Sequence, residues 1–458
     1  MYPINLGKLT YVVGGKLVRG NPHQTIHGAT YLGTREIKPG TVLFAPTKYM
    51  GKGFTFSILR TRSSSGVITT KTYANSIPKH HPLIIVPHAE MALWRLAYYQ
   101  RALSKAIFIG ITGSSGKTTT KEMLASILMK KYYTYKSYSN SNVAGYTPFH
   151  MCRLHQKIQV AVLEMGMSNL GNIAKQCQCA KPNIGIVTNV AEAHCGSLRD
   201  SIHNVARAKQ ELIDGLTPGG LLVLNADDPG SKNLNIARYQ GKILRVSTQS
   251  PSSFQAKQIE YTKYGMKFVC NQIPFHFNTW GKHNVSNALA AIAVARYLNV
   301  SWSAIQQGLA HYQTPNSRLQ PVSGTNGHLL INDSYNANPS SMIEGLKVLK
   351  KVAQGRTAVA ILGDMSELGS YSQIGHQKVG TFLGQQTKPH FLITIGRLAT
   401  LIASSAIKSG MKPKSVHSFP NQHKAIRFIR RHIPLNAVLY FKASHNMYFG
   451  RIVKKLRS

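Results

Sequence analysis

The densest chemistry in this 458-residue chain lies at Gly113-Ser114-Ser115-Gly116-Lys117-Thr118, between the apolar run AIFIGITG and the helical stretch TTTKEMLASILMKK. Glycines at such a junction let backbone amides converge on phosphate oxygens, and the helix start adds the positive end of its dipole. A lysine there reaches the β- and γ-oxygens of a nucleotide, and a threonine hydroxyl suits Mg²⁺. Ile111 stands where the strict loop pattern has its first glycine, with Gly110 and Gly113 on either side. The setting between a buried strand and a helix predicts a nucleotide-phosphate loop over residues 113–118, with Thr119 adjoining it.

Carboxylates are scarce, and their positions are informative. Fifteen Asp and Glu face 55 Lys and Arg, for a net charge of +40. Residues 1–100 hold only Glu36 and Glu90, and nothing acidic follows Glu367. Glu164, Glu211, Asp227, Asp228, Asp333, Asp364 and Glu367 fall in or beside the motifs, which points them at metal or nucleotide. Glu164 ends the run VAVLEMG, where ligands of open α/β sheets gather, and suits Mg²⁺; a solvated strand end is the plainer alternative. His194, in TNVAEAHCGS, follows another strand, with Thr188 and Asn189 on the same crevice; a lone histidine is more often structural. Lys209 reads on its own as a solvated helical charge, and Arg318 as a surface cation. Asn284 and Asn287 open the helix GKHNVSNALAAIAVA and could cap it. Asp333 ends HLLIN, where a carboxylate can accept from ribose hydroxyls.

The elements that must position these groups form an alternating pattern. From 105 to about 313, AIFIGITG, IQVAVLEMG, PNIGIVTNV and GGLLVLNADD alternate with helical stretches, predicting a parallel sheet covered on both faces. After TPNSR (314–318), HLLINDSYNANP, TAVAILGDM, HFLITIG and AVLYFKAS predict a second, doubly wound unit. Residues 1–104 read as short strands (VLFAP, HPLIIVP), a loop at Ser63-Ser64-Ser65-Gly66 and a helix AEMALWRLAYYQRAL. The expected fold is α/β in three domains, 1–104, 105–313 and 314–458: a small N-terminal domain (a substrate domain, by the resemblance described next), a central P-loop ATPase-like parallel-sheet domain and a C-terminal Rossmann-like domain.

The text GITGSSGKTTTKEM resembles the phosphate loop of the Mur ligases of bacterial cell-wall synthesis. That resemblance implies ATP as cofactor, with acyl-phosphate activation of a carboxylate followed by attack of an amine. It implies two Mg²⁺ ions held by Thr118, Glu164, His194 and a Lys209 carbamylated by CO₂. It also implies Asn287 toward the adenine, Arg318 on the γ-phosphate from the C-terminal domain, and Asp333 on the ribose. DSYNANPSSM, GDMSELG and His376 resemble the branch that adds D-alanyl-D-alanine to UDP-N-acetylmuramoyl-tripeptide. Departures fall on substrate recognition. Gly33-Thr34-Arg35 and KYMGKGFTF replace family text in the first domain, although Pro39, Gly40 and Phe44 are kept. The asparagine-rich loop is matched by Asn140, Asn142 and Pro148, and Lys442-Ala443-Ser444-His445 stands where the family has KGSR. A paralogue joining an amino acid or peptide to a different carboxylate is therefore a second reading. A basic binding protein on a decayed ligase fold is a third, opposed by the retained Lys117, Thr118, Glu164, His194, Lys209 and Asp333.

Composition sets the remaining bounds. No apolar run is long enough to span a bilayer, and MYPINLGKLTYVVGG has no signal-peptide core, so a cytoplasmic protein is expected. Five cysteines, Cys152, Cys177, Cys179, Cys195 and Cys270, show no zinc spacing and read as reduced thiols. The partners expected are nucleotide and peptide-like small molecules, for a monomer. The charge also favours an anionic polymer or membrane surface, but no clear nucleic-acid motif stands out.

Overall fold

A computed structural model describes residues 1–31, 36–48, 55–138, 141–191 and 202–458, with residue 202 described by its backbone alone. Gly33, Thr34, Arg35, Asn140, His194 and Cys195, and most of KYMGKGFTF, lie outside the described residues.

The strands Ile107–Thr112, Val160–Glu164, Ile184–Val187 and Leu221–Asn225 are nearly continuous apolar runs, buried along almost their whole length. Such strands are satisfied only in a sheet covered on both faces. They form the middle of a nine-stranded sheet running Ile273–Phe277, Met266–Cys270, Phe254–Tyr261, Lys242–Ser247, Leu221–Asn225, Ile184–Val187, Ile107–Thr112, Val160–Glu164 and Thr134–Lys136. All neighbours are parallel except the two pairs among the first three strands, at the hairpin edge. One face packs on helices Lys117–Leu128, Lys282–Tyr297 and Trp302–Ala310, and the other on Asn172–Ala180, Ile202–Asp214 and part of Ala89–Leu103. The chain moves to one side of Ile107–Thr112 and then to the other, so the phosphate loop leaves the sheet at its topological switch point.

The C-terminal sheet runs Gln320–Ser323, Leu329–Asn332, Val438–Lys442, Ala358–Gly363, Phe391–Ile395 and Val416–Phe419, parallel except for its first pair. Helices Pro339–Ala353, Ser372–Phe382 and Ala399–Lys408 cover one face, and Gln422–His432 with Gly450–Leu456 the other. A five-stranded N-terminal sheet orders Lys16–Arg19, Leu83–Ile85, Gly66–Thr69, Thr41–Phe44 and Gly28–Thr30, its first pair antiparallel.

The anticipated strands are all present, and the helix AEMALWRLAYYQRAL spans Ala89–Leu103. That helix belongs to two cores: Ala92, Leu93 and Leu96 pack in the N-terminal cluster, Trp94 and Ala97 in the central one. The loop anticipated at residues 63–66 ends earlier, because Gly66 opens the strand Gly66–Thr69. The hairpin over residues 254–277 and the edge strands Gln320–Ser323 and Val416–Phe419 carry too many exposed positions to read as apolar runs.

Candidate active site

The loop leaving Ile107–Thr112 places Gly113 at φ +147° and Gly116 at φ +80°. A Cβ on Gly113 would stand 1.9 Å from Thr188 Oγ1, and one on Gly116 2.5 Å from Asn287 Oδ1. Only glycine meets both the backbone angle and the packing. The segment 188–191 laces the loop from the next strand. Thr188 Oγ1 donates to Ser115 O at 2.6 Å, Ser115 N donates to Asn189 Oδ1 at 2.9 Å, and Ser114 Oγ donates to Ala191 O at 2.8 Å. The loop is thereby pre-formed, with Lys117 and Thr118 opening the helix Lys117–Leu128.

Thr118 Oγ1 donates to Glu164 Oε2 at 2.9 Å, and Asn142 Nδ2 donates to Glu164 Oε1 at 2.8 Å. A hydroxyl and a carboxylate side by side at a phosphate loop suit Mg²⁺, which takes one or two protein oxygens and completes its shell from phosphate and water. Among the described residues no three His, Cys, Asp or Glu converge. Glu164 is 3% exposed, and its charge is balanced by Lys121, whose Nζ lies 3.7 Å away and is fully buried. Lys121 also donates to Ser137 O at 2.9 Å. Sequence reasoning passed over Lys121, although its place four residues after Lys117 puts both on one helix face. Lys117 Nζ donates to Gly113 O at 2.6 Å. Burial pushes its amine below the ordinary lysine range; Glu164 opposes that shift and Arg318 adds to it.

The loop carrying Asn142 is propped by His150, which is 4% exposed. Its Nε2 pairs with Ser141 O at 2.8 Å and its Nδ1 with Tyr135 Oη at 2.8 Å, an arrangement met by a neutral ring. Burial lowers the His150 pKa to about 4, with the nearby cations Lys121 and Arg153 adding to the shift. The unfolded chain takes up a proton near pH 6.5, whereas the folded one resists until about 4. Stability should therefore be full above about 6.5 and fall by roughly 3 kcal/mol as the pH drops to about 4. Denaturant melts across that window should show the slope, and His150→Gln should flatten it.

Lys209 is not a solvated charge. It is 1% exposed. Burial, then the charge of Lys117, hold its pKa well below the lysine range against the pull of Glu211. It lines a cleft of about 550 Å³ together with Lys117, Thr118, Asn142, Glu164 and Arg318.

Arg318 reaches this cleft from the C-terminal side. Its Nη2 lies 3.4 Å from Thr118 Oγ1, and its guanidinium sits 3.9 Å from the Tyr335 ring centroid. The residues on either side hold left-handed backbone, Ser317 at φ +61° and Leu319 at φ +51°. Such angles cost about 1 kcal/mol each for residues with a Cβ. Asp333 helps fix them, its Oδ1 accepting from Leu319 N at 3.3 Å. Asp333 Oδ2 accepts from Lys442 Nζ at 2.6 Å and Tyr440 Oη at 3.0 Å. Asp333 is thus a buried anchor as well as a cleft residue. It lines a second cleft of about 390 Å³ that opens over the phosphate loop, together with Thr119, Asn189, Asp228 and Asn287. Asn287 lies against Gly116 and donates to Asn284 Oδ1 at 3.0 Å, and Asn284 in turn holds Trp280 O. This pair is a lattice within the helix Lys282–Tyr297, with Asn287 at the nucleotide loop.

Some of the sparse carboxylates serve the fold. Glu211 caps the helix Asn172–Ala180, accepting from Gly171, Ile173 and Ala174 amides. Asp227 ties Ser247 to Thr248, and Asp364 accepts from Ala399 N at 2.7 Å. Glu211 and Asp364 are thus engaged in holding the fold, whereas Asp227 also lines the second cleft. Glu367 stays on the first cleft, at φ +67°. His376 positions the segment before it: its Nε2 accepts from Met365 N at 3.0 Å, while Nδ1 pairs with Ser372 O at 2.6 Å. Cys152, Cys177, Cys179 and Cys270 are buried and unpaired, and burial pushes each thiol up to about 12.

The family model for the Mur ligase middle domain matches residues 111–295, and that for the Mur ligase glutamate ligase domain matches 317–445. The chain is 30% identical over 451 residues to UDP-N-acetylmuramoyl-tripeptide–D-alanyl-D-alanine ligase of Bacillus subtilis (strain 168), covering 97% of this chain and 96% of that one. The structure of MurF from Acinetobacter baumannii superposes with a TM-score of 0.87 at 26% identity, covering 100% and 99% of the two chains. The MurF ligase of Thermotoga maritima in complex with ADP shares the fold, with a TM-score of 0.79 at 22% identity over 93% and 96%. A phosphate loop laced to its neighbouring strand, a paired Thr118 and Glu164, and these matches along the whole chain lead to one conclusion: this protein belongs to the Mur ligase family.

Proposed function

We propose that the protein is the ATP-dependent ligase that joins D-alanyl-D-alanine to UDP-N-acetylmuramoyl-tripeptide. The observation that carries this reading is the convergence of Lys117, Thr118, Glu164 and Arg318, from two separate sheets, on one cleft of about 550 Å³. The names of the full-length relatives supply the substrates.

A carboxylate resists amine attack because oxide is a poor leaving group. Transfer of the γ-phosphoryl group of ATP to it forms an acyl phosphate and releases ADP. The amine then adds to the carbonyl, and the tetrahedral intermediate expels phosphate. Lys117 and Arg318, which line the same cleft, supply fixed positive charge where phosphoryl charge develops in this reading. Thr118 and Glu164 would hold Mg²⁺, which would supply charge neutralisation at the phosphates. The lacing by Thr188 and Asn189 fixes the loop, so its geometry is not rebuilt at each turnover. The units 1–104, 105–313 and 314–458 serve acceptor, nucleotide and domain closure in this reading, with His194 as a further metal ligand. We take the protein to work as a monomer in the cytoplasm.

Carbamylation of Lys209 fits the same cleft. The reaction needs a neutral amine to attack CO₂, and burial favours the neutral form of this one. The product anion would be attracted by Lys117, whose charge opposes the ammonium form. Protein equilibrated with ¹³C-bicarbonate should give one protected carbamate resonance, absent from Lys209→Arg; a spectrum lacking it in the parent would count against the modification.

The activity itself is tested by following phosphate release with ATP, Mg²⁺, bicarbonate, the UDP-linked tripeptide and D-alanyl-D-alanine, each omitted in turn. Release that needs both substrates supports the proposal. Release that needs neither, or that depends on another carboxylate, would overturn it in favour of the paralogue reading.

A further inference from the structure

We propose that the pole of the C-terminal sheet opposite its catalytic edge is a docking surface for an anionic lipid bilayer. In a parallel βα unit each helix runs back against the strands. Helix C-termini therefore gather at the end of the sheet away from Asp333 and Lys442. Here those last turns carry Arg430 and Arg431 on one helix and Lys454 and Lys455 on the next, all exposed. The two helices touch at this end, Arg430 Nη2 donating to Lys455 O at 2.9 Å.

Cations in a last turn also complement the helix dipole, which accounts for one or two such residues. It does not account for residues 368–458 holding fifteen Lys or Arg and no Asp or Glu. Among the described residues none of these four cations meets a carboxylate. Their charge is therefore available to a partner.

The turn leaving the first helix carries Leu435, 70% exposed. Arg356 holds that turn in place, its Nε donating to Asn436 O at 2.6 Å. A clamped apolar tip among unpaired cations matches the boundary between headgroups and acyl chains. The apolar faces of both helices are spent in the domain core, through Ile426, Ile429, Ile452 and Val453. Attachment is thus peripheral, by charge and one shallow side chain. Single-stranded nucleic acid is gripped by stacking on aromatic side chains, and the exposed tip here is aliphatic, which favours the bilayer.

The test is co-sedimentation of the full-length protein with phosphatidylcholine vesicles, plain or containing about one-third phosphatidylglycerol, at about 0.1 M salt, where the Debye length is roughly 10 Å. Binding is expected to the anionic vesicles alone and should vanish by about 0.5 M salt. The quadruple substitution Arg430→Gln, Arg431→Gln, Lys454→Gln, Lys455→Gln should lower partitioning by a factor of about ten or more. Lys454→Gln with Lys455→Gln should give an intermediate loss should the quadruple variant fail to fold. Leu435→Ser should weaken binding several-fold while keeping its salt dependence. Ligase turnover and the thermal transition should be unchanged in the folded variants. Three outcomes would overturn the proposal: no binding to anionic vesicles at low salt, equal binding by both charge variants and the parent, or tighter binding of a single-stranded oligonucleotide through the same residues.

Discussion

Lys117→Ala is expected to lower ligase turnover by about 10³-fold or more while leaving the protein folded. The lysine is the only Nζ that opens the helix Lys117–Leu128, directly after the glycine-framed loop. Removing one preorganised donor aimed at developing charge costs roughly 10² to 10³ in rate, and here the lost group also carries a full charge. The fold should tolerate the change. The Nζ donates to a carbonyl of its own loop, Gly113 O, and the loop is held independently by Thr188, Asn189 and Ala191. Steady-state phosphate release should therefore collapse while the thermal transition stays within a few degrees. A variant that turned over within tenfold of the parent would show that phosphoryl charge is met elsewhere.

The second large effect falls on stability. Asp333 and Lys442 form a pair at 2.6 Å, with side chains 10% and 4% exposed. Burial lowers the Lys442 pKa, and Asp333 is the first group opposing that shift. Asp333→Asn leaves the ammonium buried without its counter-charge, and breaking such a pair costs about 3–5 kcal/mol. Adding Lys442→Met should restore most of the stability, because the uncompensated charge is gone. It should not restore turnover, since both residues line the nucleotide cleft. Denaturant midpoints and turnover of the single and double variants separate the two effects. A single variant losing less than about 1 kcal/mol would mean that the pair is better solvated than its burial indicates.

What was legible in the chain follows from the range of the interactions. The phosphate loop could be read because its requirements are local: glycines for positive φ, an apolar strand before and a helix after. Glu164 could be placed because a strand end is a sequence feature. The ion partners could not. Lys121 reaches Glu164 across 43 positions, and Lys442 reaches Asp333 across 109, so their meeting depends on strand order. Lys209 read as a surface charge because a helical lysine carries no sign of which face its helix buries. The edge hairpin stayed hidden for a different reason. Its tight turn uses Asn271 at φ +51° and Gln272 at φ +64°, where an Asn-Gly pair would have announced it. The fold class was carried by the apolar strands, while the roles of Glu211, Asp227 and Asp364 awaited their partners in space.

The mechanism proposed above carries the carboxylate through an acyl phosphate in the cleft lined by Lys117, Thr118, Glu164 and Arg318, and an oxygen label reads that step directly. The tripeptide acceptor would be supplied with ¹⁸O in its reacting carboxylate, together with ATP, Mg²⁺ and D-alanyl-D-alanine, and the released phosphate weighed by mass spectrometry. Each turnover should move one labelled oxygen into inorganic phosphate, none into AMP, and leave the other in the new amide. Unlabelled phosphate would mean that ATP is hydrolysed apart from any acyl transfer, and label in AMP would mean adenylation; either result would contradict the mechanism.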